Sequence, residues 1–99
     1  MAKFPPGALF KMAQSTNPAV AQAAISDLIQ SGSEALPALQ KALREAAPQA
    51  QLLAIQILGA MGPVAKPAEA DLRPLLQDPY LGQAAADALN RIAVGPIAE

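Results

Sequence analysis

The side chains best suited to general acid–base chemistry in this 99-residue chain are carboxylates, because it contains neither histidine nor cysteine. Two acidic pairs lie close together in sequence, Glu69 with Asp71 and Asp27 with Glu34. Paired carboxylates support catalysis when a base, a nucleophile or a phosphate-binding loop accompanies them, and none stands near either pair. Residues two apart on a helix also do not face each other. We therefore interpret both pairs as solvated surface and expect a protein that is not an enzyme.

A metal or cofactor site is not expected either. The lack of histidine and cysteine removes the commonest metal ligand and every thiolate ligand. The apolar runs are too short and too interrupted for a secretory signal, and none approaches the ~20 apolar residues of a membrane span. We expect no metal, no bound cofactor, no membrane partner and a location in the cytoplasm.

The charge distribution argues against nucleic acid as a partner. Seven basic and eight acidic residues give a net charge of −1. A nucleic-acid-binding protein needs a concentrated basic patch that displaces counterions. The basic residues of this chain are instead spread along it: Lys3, Lys11, Lys41, Arg44, Lys66, Arg73 and Arg91.

An internal repeat organises the chain. Hydrophobic residues make up 53% of the sequence, many of them alanine, which favours helices and lets them approach closely. Prolines recur at positions 18, 48 and 79, at intervals of 30 and 31 residues. Aligning the chain on these prolines superimposes several positions: Ala24, Ala54 and Ala85; Leu28, Leu58 and Leu89; Gly32 and Gly62. A shared period of this kind is typical of proteins built from stacked units.

Each unit reads as two helices. Asn17 and Asp78 are suited to cap a helix whose first residue is the following proline. Gly32 and Gly62 stand where a residue with positive φ would end one. The sequence predicts an all-α solenoid of three helix pairs, with helices at about 7–15, 18–31, 34–46, 48–61, 66–77 and 79–93. A single domain then spans residues 1–99, with repeats at 7–31, 33–61 and 65–93 and a tail at 94–99. The helix at 48–61 is apolar nearly all round, so we expect it in the middle of the stack.

These residues resemble HEAT repeats, in particular the short variety found in phycobilisome-lyase-type HEAT proteins. The similarity covers residues 17–93 and is best from Leu53 onward, in the GPVAKP entry to the outer helix, the Leu-Leu-x-Asp-Pro junction and the Ala-Ala-x-x-Ala-Leu inner helix. Residues 7–16 match by position only. The positions where the family often carries an arginine that links repeats hold Ala21, Gln51 and Gly82 or Gln83 here. We therefore expect cohesion from apolar packing, without a ladder of ion pairs.

The resemblance implies that the second, inner helices of the pairs present a binding surface. Positions one, four, eight and twelve after each repeat proline lie along one stripe of the inner helices. From these we select a candidate partner-binding set, the inner-face stripe: Gln22, Ser26, Gln49, Leu52, Gln56, Tyr80, Gln83, Asp87 and Arg91. It is rich in amides and nearly uncharged, and Leu52 and Tyr80 are expected to be exposed. The plainer alternative is an ordinary solvated helix face.

Two functions remain open from the sequence. The first is a non-catalytic protein–protein interaction module, a small adaptor or scaffold. The second, implied by the family, is an accessory subunit of a modification enzyme, a lyase-like HEAT protein. A solenoid also has two ends, and neither the first helix, with Leu9 and Phe10, nor the last has the charge of a capping repeat. We expect a homodimer through these ends or burial of one end against a partner, unless the tail folds back over the last helix.

We predict no binding to DNA or RNA at ~150 mM salt, because scattered basic residues release few counterions. Fluorescence anisotropy with a labelled DNA duplex and an RNA hairpin tests this. A submicromolar dissociation constant at that salt concentration would contradict the interpretation of the charges.

Overall fold

In the computed structural model, which describes residues 5–94, every regular element is helical and no described residue forms a strand. The α-helices are α1 (Pro6–Ala13), α2 (Pro18–Ser31), α3 (Leu36–Glu45), α4 (Pro48–Met61), α5 (Glu69–Leu72) and α6 (Gly82–Val94). Three 3₁₀ segments connect them, at Gly32–Ala35, Gly62–Ala68 and Arg73–Gln77. The all-α prediction is confirmed. The predicted tail at 94–99 lies outside the described residues, except for Val94.

The start of α2 follows the predicted capping chemistry. The Asn17 side-chain oxygen accepts hydrogen bonds from the backbone N–H groups of Ala19 at 2.9 Å and Val20 at 3.4 Å. These bonds satisfy two of the amides that a helix leaves without an internal partner. Pro18 occupies the first helical position, where a missing N–H costs nothing.

The start of the last helix differs from the prediction by three residues. The Asp78 carboxylate accepts from the N–H groups of Tyr80 at 2.7 Å and Leu81 at 2.9 Å, as expected of a cap. The regular helix nevertheless begins at Gly82 rather than at residue 79. A Cβ placed on Gly82 would stand 2.5 Å from the Leu76 carbonyl oxygen. The turn therefore brings two backbone segments closer than any side chain at this position would allow.

Both helix-ending glycines have positive φ, as predicted. Gly32 has φ 61° and ψ −132°, and Gly62 has φ 68° and ψ −142°. The ψ values lie far from the left-handed helical value near +47°, in a region that a Cβ would exclude. The chain turns in the same way at both points and continues into a 3₁₀ segment.

The prediction of a regular α-helix at 66–77 is wrong. Residues 62–77 instead form two 3₁₀ segments separated by the four residues of α5. Pro67 and Pro74 cause the interruption, because each lacks the N–H that an α-helix would use. The tighter i to i+3 pattern of a 3₁₀ segment accommodates such a chain in short stretches. The expected helix at 34–46 is likewise regular only from Leu36.

Helix α4 lies in the middle of the packing, as its apolar sequence predicted. It contacts α2, α3 and α6, and the side chains of Ala54, Ile55 and Leu58 are completely inaccessible to solvent. Other fully inaccessible residues surround it: Leu28, Leu39, Leu72 and Ile92. No polar or charged side chain is buried among the described residues.

The apolar side chains of the first and last helices mostly face this core. Leu9, Phe10 and Ala13 of α1 are at most 7% exposed. On α6, Ala88 and Ile92 are buried, and residues 83, 86, 87, 90 and 91 face solvent. These exposed positions hold small or polar residues. The apolar residues on which the expected homodimer rested thus offer little surface, and self-association stays a prediction.

We predict that Leu58→Ala lowers the free energy of unfolding by about 2–5 kcal/mol, since it leaves a cavity in the core. The matched control is Leu76→Ala, whose side chain is 42% exposed and whose loss should change stability by about 0.5 kcal/mol or less. Urea denaturation followed by circular dichroism measures both. Equal losses in the two variants would show that α4 is not the centre of the core.

Candidate functional site

The inner-face stripe is largely a solvent-exposed surface. Its residues on α2 and α6 are all exposed, as are Gln49 and Gln56 on α4. Tyr80, in the turn before α6, is 54% exposed. Leu52 differs from expectation because its side chain is half-buried and packs against the core. The stripe therefore offers one large apolar group, the Tyr80 ring, among amides and a few charges.

Three residues of the stripe meet at a groove between α4 and α6, here called the α4–α6 groove. Its volume is about 240 Å³. Gln56 stands on the α4 side, and Asp87 and Arg91 stand on the α6 side. Ile55, Gly59, Ala84 and Ala88 complete the lining. The structure thus brings together residues that are about thirty positions apart in sequence, at corresponding places in two predicted repeats.

The close approach of α4 and α6 sets the depth of this groove. A Cβ on Gly59 would stand 3.3 Å from the Ala88 Cα and 3.4 Å from its Cβ. Small residues at a helix crossing allow the two backbones to come close together, and larger ones would force them apart. The Arg91 Cδ lies 3.7 Å from the same position, so the arginine stem lies over Gly59.

The charges at the groove form one exposed ion pair. The Arg91 Nε lies 3.2 Å from the Asp87 Oδ2, and each side chain is 61% exposed. A pair spaced i, i+4 at such exposure contributes only about 0.2–0.5 kcal/mol to a helix. The guanidinium has five donors in all, so a ligand can engage it without breaking the pair. Gln56, Asp87 and Arg91 therefore offer the groove both hydrogen-bond donors and acceptors.

The remaining acidic residues behave as structural or surface groups. Asp71 forms an ion pair with Arg44 at 3.0 Å, and Glu69 approaches Arg73 at 3.9 Å. Asp27 and Glu34 are exposed. No group of three or more potential metal ligands occurs among residues 5–94. Each carboxylate of the Glu69–Asp71 pair is thus directed to its own arginine.

Polar contacts between α3 and the segment at residues 67–71 were not predicted from the sequence. The Gln40 side chain of α3 donates to the Pro67 carbonyl oxygen at 3.1 Å, and one turn later Arg44 contacts Asp71. Both contacts join residues 27 apart, and the signal for them was the matching four-residue spacing on the two segments. The Gln51 side chain of α4 donates to the Leu43 carbonyl oxygen at 2.7 Å.

A second groove, the α1–α3 groove, was not foreseen from the sequence. It lies where α1, α3 and the start of α4 meet, and its volume is about 400 Å³. Phe10 and a group of alanines form its apolar lining, and Lys11, Gln14, Lys41 and Glu45 stand at its polar positions. The lining residues from α1 and its end are more than twenty positions away in sequence from those of α3 and α4, so no local pattern could indicate the groove.

Comparison of the chain with known protein families, curated proteins and solved structures gives no match. None of the described helices combines the length and the apolar character that crossing a membrane requires. The features of this chain that bear on function are therefore the two grooves and the inner-face stripe.

We predict that Gly59→Leu destabilises the protein by about 1–3 kcal/mol, because the new side chain overpacks the contact with Ala88. The control Ala60→Leu places the same side chain at an exposed position of α4 and should change stability by about 0.5 kcal/mol or less. Thermal unfolding compares the two. Similar melting temperatures for both variants would mean that Gly59 does not set the helix spacing.

Proposed function

We propose that the chain is a short α-solenoid of the HEAT type that binds another protein through its inner-face stripe and has no catalytic role. The solenoid part of this proposal is supported by equivalence between successive units. Helices α2 and α4 both have 14 residues, begin with a proline and end at a glycine of positive φ. Contacts of α4 with both α2 and α6 fit a row of successive inner helices.

The observation that carries the binding proposal is the α4–α6 groove. Its mouth combines an amide, an arginine and a carboxylate at the edge of an otherwise nearly uncharged surface. Arginine and tyrosine are enriched at the energetic centres of protein interfaces, and amides exchange water for peptide groups without burying a charge. Tyr80 belongs to the same stripe and lies three residues before Gln83, in the turn that precedes α6.

The expected occupant is a segment of a partner protein that offers backbone N–H and C=O groups to Gln56 and a hydrogen-bond acceptor to Arg91. A groove of about 240 Å³ is small for a whole domain and suits one or two side chains of a peptide or loop. A second copy of this chain is the competing occupant, as the expected homodimer would require.

Affinity capture from the native cell, followed by mass spectrometry, tests the proposal with two matched double variants. Gln56→Arg with Gln83→Arg changes the stripe, and Thr16→Arg with Ser33→Arg adds the same charge at exposed positions outside it. We expect the wild type and the Thr16/Ser33 variant to retain a partner that the Gln56/Gln83 variant loses. The reason is that two long cationic side chains would obstruct the stripe and carry added charge, which is costly to desolvate, into the interface.

Retention of every captured protein by the Gln56/Gln83 variant would contradict a role for the stripe. Sedimentation of the wild type at tens to hundreds of micromolar is the second measurement. A dimer that the Gln56/Gln83 variant disrupts, with no other captured protein, would identify the partner as a second copy.

A further inference from the structure

Helix α3 makes side-chain polar contacts with one of its neighbours and borders a groove at another. Toward the segment at residues 67–71, Gln40 donates to the Pro67 carbonyl oxygen and Arg44 pairs with Asp71. Toward α1, no side-chain hydrogen bond or ion pair to α3 is present among the described residues, and the α1–α3 groove of about 400 Å³ remains. Donors on α3 therefore meet acceptors on one side and open space on the other.

The lining of the α1–α3 groove suits a bulky apolar guest. Ala38, Ala42, Ala46 and Ala50 are buried or half-buried, and Phe10 is 7% exposed. Alanine side chains are short, so they leave the space that larger residues would fill. At about 30 Å³ per water molecule, the volume corresponds to on the order of ten waters. A guest with large side chains would displace this water from an apolar surface, which favours binding.

The charged groups of the groove indicate which charge a bound guest should carry. Lys11 on α1 and Lys41 on α3 both line it, and Glu45 is the one carboxylate among its described lining residues. Every ion pair in the described part of the chain uses an arginine, so neither lysine has a carboxylate within ion-pairing distance there. Arg44, three residues after Lys41 on α3, does have one, in Asp71.

We propose that the α1–α3 groove binds an amphipathic helix of a partner protein, with bulky apolar residues against the alanines and carboxylates beside Lys11 and Lys41. A groove between two helices accepts a third helix through side chains spaced three or four residues apart. The guest would then repeat on this side of α3 the pairing of cation with carboxylate that Arg44 and Asp71 make on the other.

This site is separate from the one in the proposed function. Its α4 residue Ala50 and the α4–α6 groove residue Gly59 are nine positions apart. Nine residues are two and a half turns of an α-helix, so these residues lie on opposite sides of α4. Loss of one activity therefore leaves the other measurable.

The test uses the full chain and two synthetic helical peptides. One carries leucines three and four residues apart with flanking glutamates, and the other has lysine in place of each glutamate. Fluorescence anisotropy at low salt measures their binding to wild type, Lys41→Glu, Lys66→Glu and Ala38→Phe. Lys66 is an exposed lysine outside the groove, so it is the matched charge control. Circular dichroism verifies that each variant is folded.

We expect wild type to prefer the glutamate peptide and Lys41→Glu to bind it roughly fivefold more weakly, a loss that fits one exposed charge pair turned repulsive. Lys66→Glu should bind like wild type, and Ala38→Phe should bind neither peptide because the ring fills the groove. Added salt should weaken the glutamate peptide's binding by screening.

Three results would overturn the proposal. The first is no binding of the glutamate peptide at millimolar concentration. The second is equal weakening by Lys41→Glu and Lys66→Glu, which would indicate general attraction rather than a site. The third is a wild-type dimer in sedimentation that Ala38→Phe converts to a monomer, which would make a second copy the occupant.

Discussion

The burial of α4 is the constraint on which the other elements depend. A helix that is apolar nearly all round must be covered on most sides, and α2, α3 and α6 cover it. Close coverage requires small residues at the crossings, which Gly59 and Ala88 supply between α4 and α6. The same requirement leaves α4 with only three polar side chains, all glutamines, and two of them have a defined contact or groove. Gln51 is directed to the Leu43 carbonyl oxygen, and Gln56 reaches the α4–α6 groove.

Features controlled by neighbouring residues were predictable from the sequence. The cap at Asn17, the positive φ of Gly32 and Gly62 and the central position of α4 all follow from residue type and spacing. The exposure of the stripe also followed, except at Leu52, because a repeat of about 3.6 residues fixes which side chains share a face. The broken segment around α5 was misjudged because the apolar pattern of its leucines was given more weight than two missing amide donors.

Features controlled by the relative placement of elements were not predictable. The Arg44–Asp71 pair spans 27 positions, and whether two such residues meet depends on the distance and rotation between α3 and α5. The α1–α3 groove is a space left by neighbouring helices rather than a property of any segment, so it has no local signature. The sequence does explain it in retrospect, since alanines at 38, 42, 46 and 50 are too short to close the gap.

The two grooves differ in chemistry, and both are lined in part by residues of α4. The α4–α6 groove is small and bordered by an amide and an exposed ion pair, whereas the α1–α3 groove is larger and apolar with two lysines. Opposite sides of α4 contribute to the two grooves, and between them residues such as Ala54 and Leu58 are fully enclosed. The two grooves have no lining residue in common, so a segment bound in one would leave the lining of the other free. This separation suits the adaptor role that we propose, since two partner segments would contact different residues.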